Sequence, residues 1–326
     1  MKLMKRLCCL FPVVLLVALG PGNVIAQSYP IRPVRLVVPF APGGGVDVVS
    51  RLIAAKLAET LKQPVLIENR GGSGGTVGAN VVAKAEPDGY TFLMTSASIA
   101  IAPSIYRKLP FDALKDFAPV SQIYSLSLIL LVNANVSATS VGALIALAKS
   151  QPGRLNYAST GVGGSPHLAA ELFKSMTGTD IVHVPYKGVA PMGAALIANE
   201  VQVIFTVPVG IVQYIKSGEL RALAVTGNAR SHMLPKVPTM VEAGVRDYVL
   251  PDWMGMFAPA GTSREIIARL HAQIVRILAI PEIRERLRNI GYDPVGSTPE
   301  EFDAKFKEDF ATFARVIKET RIPLMD

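Results

Sequence analysis

The feature that most constrains this chain is a repeated change of period. Short β-branched runs end in glycine- or serine-rich turns, and each turn opens an amphipathic helix. Residues 34–40 form such a run and 41–45 the turn. Asp47 then opens a segment in which Val49, Leu52, Ile53 and Leu57 recur at i, i+3, i+4 and i+8, one face of a helix. The pattern returns with a strand at 65–69, a turn at 71–75 and a helix at 76–84, then a strand at 90–94 ending in Thr95-Ser96-Ala97-Ser98. A second cycle starts near Leu128, with strands at 128–132, 155–159, 181–184, 201–205 and 222–225 and helices at 141–150 and 166–177. From Trp253 a last strand precedes two long amphipathic helices that return to the first unit. Alternation of this kind predicts a parallel α/β architecture. We place one lobe at 27–125 plus 250–326 and a second at 126–249. The expected crossings lie at 122–128 and 248–252, with a ligand cleft between the lobes.

Composition excludes several alternatives. With 326 residues, 50% hydrophobic and 18% charged, the chain is neither disordered nor a miniprotein. The most apolar stretch is at the N-terminus, where Lys2, Lys5 and Arg6 precede an uninterrupted apolar run from Leu7 to Gly20. At about 14 residues the run is shorter than the roughly 20 that a spanning helix needs. Val24-Ile25-Ala26 then supplies a cleavage site, so residues 1–26 are expected to be an export signal removed after Ala26. Cys8 and Cys9 leave with it, so the mature chain has no disulfide, thiolate nucleophile or cysteine metal site. Removing three of the 33 basic residues leaves 30 against 25 acidic ones, a net charge of +5. The basic residues are scattered without aromatic interleaving, so no nucleic-acid partner is expected.

The glycine turns carry the candidate chemistry. In open α/β sheets a ligand sits beyond the carboxyl ends of the strands, against backbone N–H groups at helix N-termini. Enzyme motifs fail here. Gly43-x-Gly45 and Gly72-x-Gly74 are followed by Val48 and Val77 where a dinucleotide fingerprint needs glycine, and no phosphate-loop pattern occurs. Gly163-x-Ser165-x-His167 departs from a nucleophile elbow at its last position. A secreted hydrolase using Ser165 and His167 is therefore the alternative reading, and Ser165 as a helix N-cap the simpler one. The histidines at 167, 183, 232 and 271 have no metal spacing. Neither a metal nor a cofactor is expected.

Several stretches together carry a resemblance. They are Tyr29-Pro30, Val37-Val38-Pro39-Phe40-Ala41-Pro42-Gly43-Gly44 with Asp47, Glu68-Asn69-Arg70-Gly71-Gly72-Ser73-Gly74-Gly75, and Pro87-Asp88-Gly89-Tyr90-Thr91. Further along come Asn156-Tyr157-Ala158-Ser159 through Ser165, His167-Leu168, Val184-Pro185-Tyr186-Lys187-Gly188, Gly218-Glu219-Leu220-Arg221-Ala222 and Trp253-Met254-Gly255. The chain resembles the substrate-binding receptors of tripartite tricarboxylate transporters, the Bug receptors, from about Tyr29 to its end. The resemblance implies a two-lobed periplasmic binding-protein fold, type II-like, that closes on a small organic carboxylate. It also implies a monomer, not an enzyme, that works in the periplasm and delivers its ligand to large and small integral-membrane subunits. A receptor without a permease, acting as a sensor, is a further alternative. The ligand carboxylate is expected at Phe40, Pro42, Gly43 and Gly44 of the first lobe, faced by Ser159, Thr160, Gly163, Ser165 and His167. Ser96, Ala97 and Thr206 are expected at its distal part. The family often has an acidic residue near 201–205, where this chain reads Gln202 and Thr206-Val207-Pro208. A cleft without that charge is expected to disfavour an amino-acid ligand.

Overall fold

The computed structural model describes residues 29–320, 324 and 325. The leader expected at 1–26 lies outside the described residues. The first unit runs β1 (Val34–Val38), α1 (Gly45–Leu61), β2 (Val65–Asn69), α2 (Thr76–Ala83), β3 (Thr91–Ser96), α3 (Ser98–Ile105) and β4 (Phe117–Ser127). The second holds β5 (Ile129–Asn133), α4 (Val141–Ser150), β6 (Asn156–Ser159), α5 (Ser165–Thr177), β7 (Val182–Pro185) and α6 (Val189–Ile197), then β8 (Val203–Thr206), α7 (Val212–Lys216) and β9 (Leu220–Val225). The chain returns through β10 (Pro251–Pro259), α8 (Arg264–Ala279), α9 (Pro281–Asn289), β11 (Asp293–Pro294) and α10 (Pro299–Thr320). The first sheet has the order β11-β4-β10-β3-β1-β2 and the second β7-β6-β8-β5-β9. Two lobes result.

The apolar periodicity explains the packing. Val49, Ile53, Leu57 and Leu61 form the buried stripe of α1, and Leu36, Val37 and Val38 of β1 are fully buried. Among the described residues no helix is long and apolar enough to cross a membrane. Three expectations need correction. The sheets are mixed, because β10 pairs antiparallel with β3 and β4, and β5 antiparallel with β8 and β9. A strand arriving directly from the other lobe starts at the cleft and runs away from it, against its neighbours. Residues 122–127 belong to β4, so the first crossing is Leu128 alone. The C-terminal segment holds three helices, because Pro281 disfavours helical geometry at Ile280, which is extended (φ −64°, ψ 123°) and starts a new helix.

One side chain ties the two crossings. Thr226, fully buried, donates its hydroxyl to Leu250 O (2.8 Å) and accepts from Leu128 N–H (3.0 Å). Its own N–H reaches Leu128 O (2.9 Å), and Leu250 N–H reaches Thr226 O (2.8 Å). The last helix, α10, packs on α3 and β4 of the first unit and also touches α5 of the second. Its Asp309 accepts from the Trp253 indole N–H (2.7 Å), and Phe302 lies where a Cβ on Gly255 would fall.

Candidate ligand-binding site

Three helices of different origin begin at one cavity. Gly44, Gly45 and Val46 from α1, Gly164 and Ser165 from α5, and Gly188 and Val189 from α6 all stand in its wall. None of these N-termini has a side-chain cap. The first helical bonds are Val48 N–H to Gly44 O (2.9 Å), Leu168 N–H to Gly164 O (3.1 Å) and Met192 N–H to Gly188 O (3.3 Å). The N–H groups ahead of them lack helical partners, and the positive ends of three helix dipoles converge. The cavity measures about 580 Å³ including the part open to solvent. Its wall is mostly apolar, and among the described residues it contains no Lys, Arg or His. A larger outer cavity shares Phe40, Ala41, Thr160 and Gly188 with it and is bordered by Asn69 and Lys187.

The lobes meet at the mouth. Tyr106 donates its hydroxyl to Val162 O (2.9 Å), and a Cβ on Gly74 would come within 2.5 Å of the same oxygen. Glycine at 74, with φ +63°, is what allows the two turns to touch.

Of the residues expected at the ligand, Phe40, Gly44, Ser96, Thr160 and Ser165 line the inner cavity, and Pro42 the outer one. Gly43, Ala97, Ser159, Gly163, His167 and Thr206 stand in the wall of neither. Several of these brace the turns. Gly43 gives its N–H to Asp47 Oδ2 (2.9 Å), and Ala97 its N–H to Asp252 Oδ1 (3.3 Å). Ser159 Oγ pairs with His183 Nε2 (2.7 Å) and accepts from Gly161 N–H (3.1 Å). His167 packs on His183, with ring centroids 4.7 Å apart, and its Nδ1 is buried without a partner. Burial, with repulsion from His183, lowers its pKa to about 4, so it is neutral at ordinary pH. Nothing pairs it with Ser165 as a hydrolase would need.

Sequence reasoning missed Asp252, the one charged residue of the inner wall among the described residues. Asp252, at the start of β10, is buried and lines the cavity. Its Oδ1 accepts from Trp253 N–H (2.8 Å) and Ala97 N–H (3.3 Å). Burial pushes its carboxyl up to about 6, against the lowering effect of the Trp253, Ser165 and Ala97 donors, with Asp309 adding repulsion. The acidic residue often found near 201–205 is absent, as the sequence reads, but Asp252 brings a negative charge to the wall from another strand, so that absence no longer argues against an amino-acid ligand. Only the pairing of β10 with β3 and β4 brings Asp252 there, and no local pattern marks it.

A two-lobed α/β fold with helix N-termini gathered at an interlobe cavity defines a solute-binding receptor. Residues 49–322 match the family described as "Tripartite tricarboxylate transporter family receptor", and the chain belongs to that family. The protein BugT of Bordetella pertussis is 36% identical over 319 residues, 97% of this chain and 98% of that one. A solved structure of an R. palustris protein with adipate is 37% identical with a TM-score of 0.87, covering 91% of this chain and all of that one. MatC from Rhodopseudomonas palustris, with bound malate, is 32% identical with a TM-score of 0.84, covering 89% of this chain and all of that one. The family consists of receptors, so this chain is a receptor and not an enzyme.

Proposed function

We propose that the protein is a periplasmic receptor that captures a small organic carboxylate and hands it to a tripartite transporter with large and small membrane subunits. One lobe holds β1 to β4 and β10 to α10, the other β5 to β9, and they close by a hinge at Leu128 and at Thr226 and Leu250. One observation carries the reading: three uncapped helix N-termini meet in a mostly apolar cavity whose wall holds no cation among the described residues. Such a site stabilises one negative charge by backbone donors and dipoles, and leaves an apolar body to fill the remaining space. The adipate- and malate-bound relatives support a carboxylate as the group that the backbone donors take. Phe40, Gly44, Ser96, Thr160 and Ser165 touch the ligand. Gly43, Ala97, Ser159, Gly163, His167 and Thr206 shape the turns around it, and Pro42 lines the way in.

A thermal-shift screen of the mature chain, unfolded and refolded to remove retained ligand, tests the reading. A ligand at 100 times its Kd raises stability by about 2.7 kcal/mol, so at least one mono-, di- or tricarboxylate or aromatic acid is expected to raise the melting temperature by several degrees. Failure of every acid tested would sink the proposal.

A further inference from the structure

Asp252 is a buried acid in a wall built to receive an anion, and the two roles conflict unless the ligand resolves them. Its Oδ1 is engaged by two backbone N–H groups, but an ionised carboxylate has acceptor sites for about four donors. Spare acceptor capacity therefore remains within a cavity lined by Phe40, Leu126, Val189 and Val207. Ser165 of the second lobe stands close enough to favour the ionised form. Its hydroxyl is nevertheless buried without a well-formed hydrogen bond inside the protein. A buried hydroxyl left short of a partner, beside a carboxylate with acceptor sites to spare, marks the place of a ligand group at this cavity.

We propose that Asp252, with Ser165, selects ligands that carry a hydrogen-bond donor, a hydroxyl or ammonium group, besides their carboxylate, and turns away ligands with a second ionised carboxylate at that place. The inference rests on the carboxylate-receptor reading. The helix N-termini offset one negative charge. A second one beside Asp252 would meet a like charge in a wall whose other polar side chains, Ser96, Tyr124, Thr160 and Ser165, are neutral hydroxyls, with no Lys, Arg or His among its described residues to neutralise it. A donor in the same place gains a charge-assisted hydrogen bond instead.

Asparagine separates this role from a structural one. Its amide oxygen can keep both backbone bonds from Ala97 and Trp253, while the amide NH2 presents a donor where the carboxylate presented an acceptor. The experiment is titration calorimetry on matched acids at about pH 8, where a carboxyl with a pKa near 6 is ionised. The probes are hexanoate, its terminal hydroxy and amino derivatives, and adipate. Two further skeletons follow the same plan, butanoate with succinate and benzoate with terephthalate. A hydrogen bond to a charged group is worth about 1.5–3 kcal/mol. On any skeleton that binds, the donor-bearing acid is therefore expected to bind about tenfold to a hundredfold tighter than the diacid. Asp252→Asn, checked for a wild-type melting profile, is expected to erase that ranking and strengthen diacid binding. Should the variant fail to fold, the wild-type ranking alone decides. Tightest binding by a diacid to the wild type would overturn the inference while leaving the receptor reading intact. A ranking that survived Asp252→Asn would overturn it too. Binding of no acid by either protein would remove the receptor reading and this inference together.

Discussion

The glycine turns facing each other across the cleft are held in opposite ways. In the first lobe a charged cluster braces the turn. Asp47, buried in the first turn of α1, accepts from Gly43 N–H (2.9 Å), the Arg51 guanidinium (3.0 Å) and the Asn69 amide (2.8 Å), and Asn69 also reaches Phe40 O (3.1 Å). Burial alone would push the Asp47 carboxyl up, but these donors outweigh it and hold it below the usual range. In the second lobe the turn leans on neutral rings. His183 holds Ser159, stacks on Tyr157 and packs against His167, and burial lowers the pKa of both histidines. The contrast teaches that an anion site can be stiffened by a satisfied charge touching the turn or by neutral rings, here with the Glu171–Lys174 pair set one layer back on Tyr157. The two solutions fail under different stresses.

Removing the brace gives the largest expected effect. Asp47→Ala deletes three hydrogen bonds to a charged acceptor and frees the turn that carries Gly44. A loss of about 2–4 kcal/mol in urea unfolding is expected, with weakened ligand binding. A variant as stable as wild type would show that the brace is idle.

Acid separates the lobes next. His167 has a folded pKa of about 4 against an unfolded value of 6.5. The stability its neutral form contributes is complete above about pH 6.5 and is lost as pH falls toward 4, up to about 3 kcal/mol. Asp47, whose folded pKa is depressed, loses its contribution only below its unfolded value of 3.8. Hydrogen exchange at pH between about 6.5 and 4.5 is expected to loosen β6 and α5 before β1 and α1. His167→Gln should flatten this dependence, and an unchanged slope would assign the acid sensitivity elsewhere.

The smallest effect compares two glycines. A Cβ on Gly45 would fall 2.0 Å from the Tyr292 hydroxyl, whose ring is stacked on Tyr124 and has no room to yield. A Cβ on Gly164 would come too close only to the Thr160 hydroxyl, at 2.7 Å, a side chain that can turn aside, and would sit at ordinary contact distance from Gly161 O (3.4 Å). Gly45→Ala is expected to destabilise by about 1–3 kcal/mol and Gly164→Ala by less than about 1 kcal/mol. Equal melting temperatures for the two variants would refute the distinction.

Much of this arrangement was legible in the sequence, because it is local. The change from period 2 to period 3.6 at 41–45 and 159–165 depends only on side-chain type and on glycine. It placed the start of α1 to within two residues and that of α5 to within one, while the resemblance singled out Phe40, Gly44, Thr160 and Ser165 within those turns. The start of α6 at Gly188 lay within a quoted stretch but was not read as a helix. The stretch 122–128 was expected as a crossing between the two cycles, and 122–127 prove to be strand. They are strand only because β10 and β11 flank them.

The sequence by itself determined the α/β alternation, the glycine turns and the family resemblance, since each depends on residues close together in the chain. Tertiary structure alone decided which turn residues face the cavity and which brace it. It brought Asn69 to Asp47, drew Ser159 to His183, and set Asp252 among groups more than 80 residues away in the chain, Ala97 and Ser165. Burial and hydrogen-bond partners are properties of the assembled sheets and helices, and a carboxylate acquires its environment only when those surfaces meet.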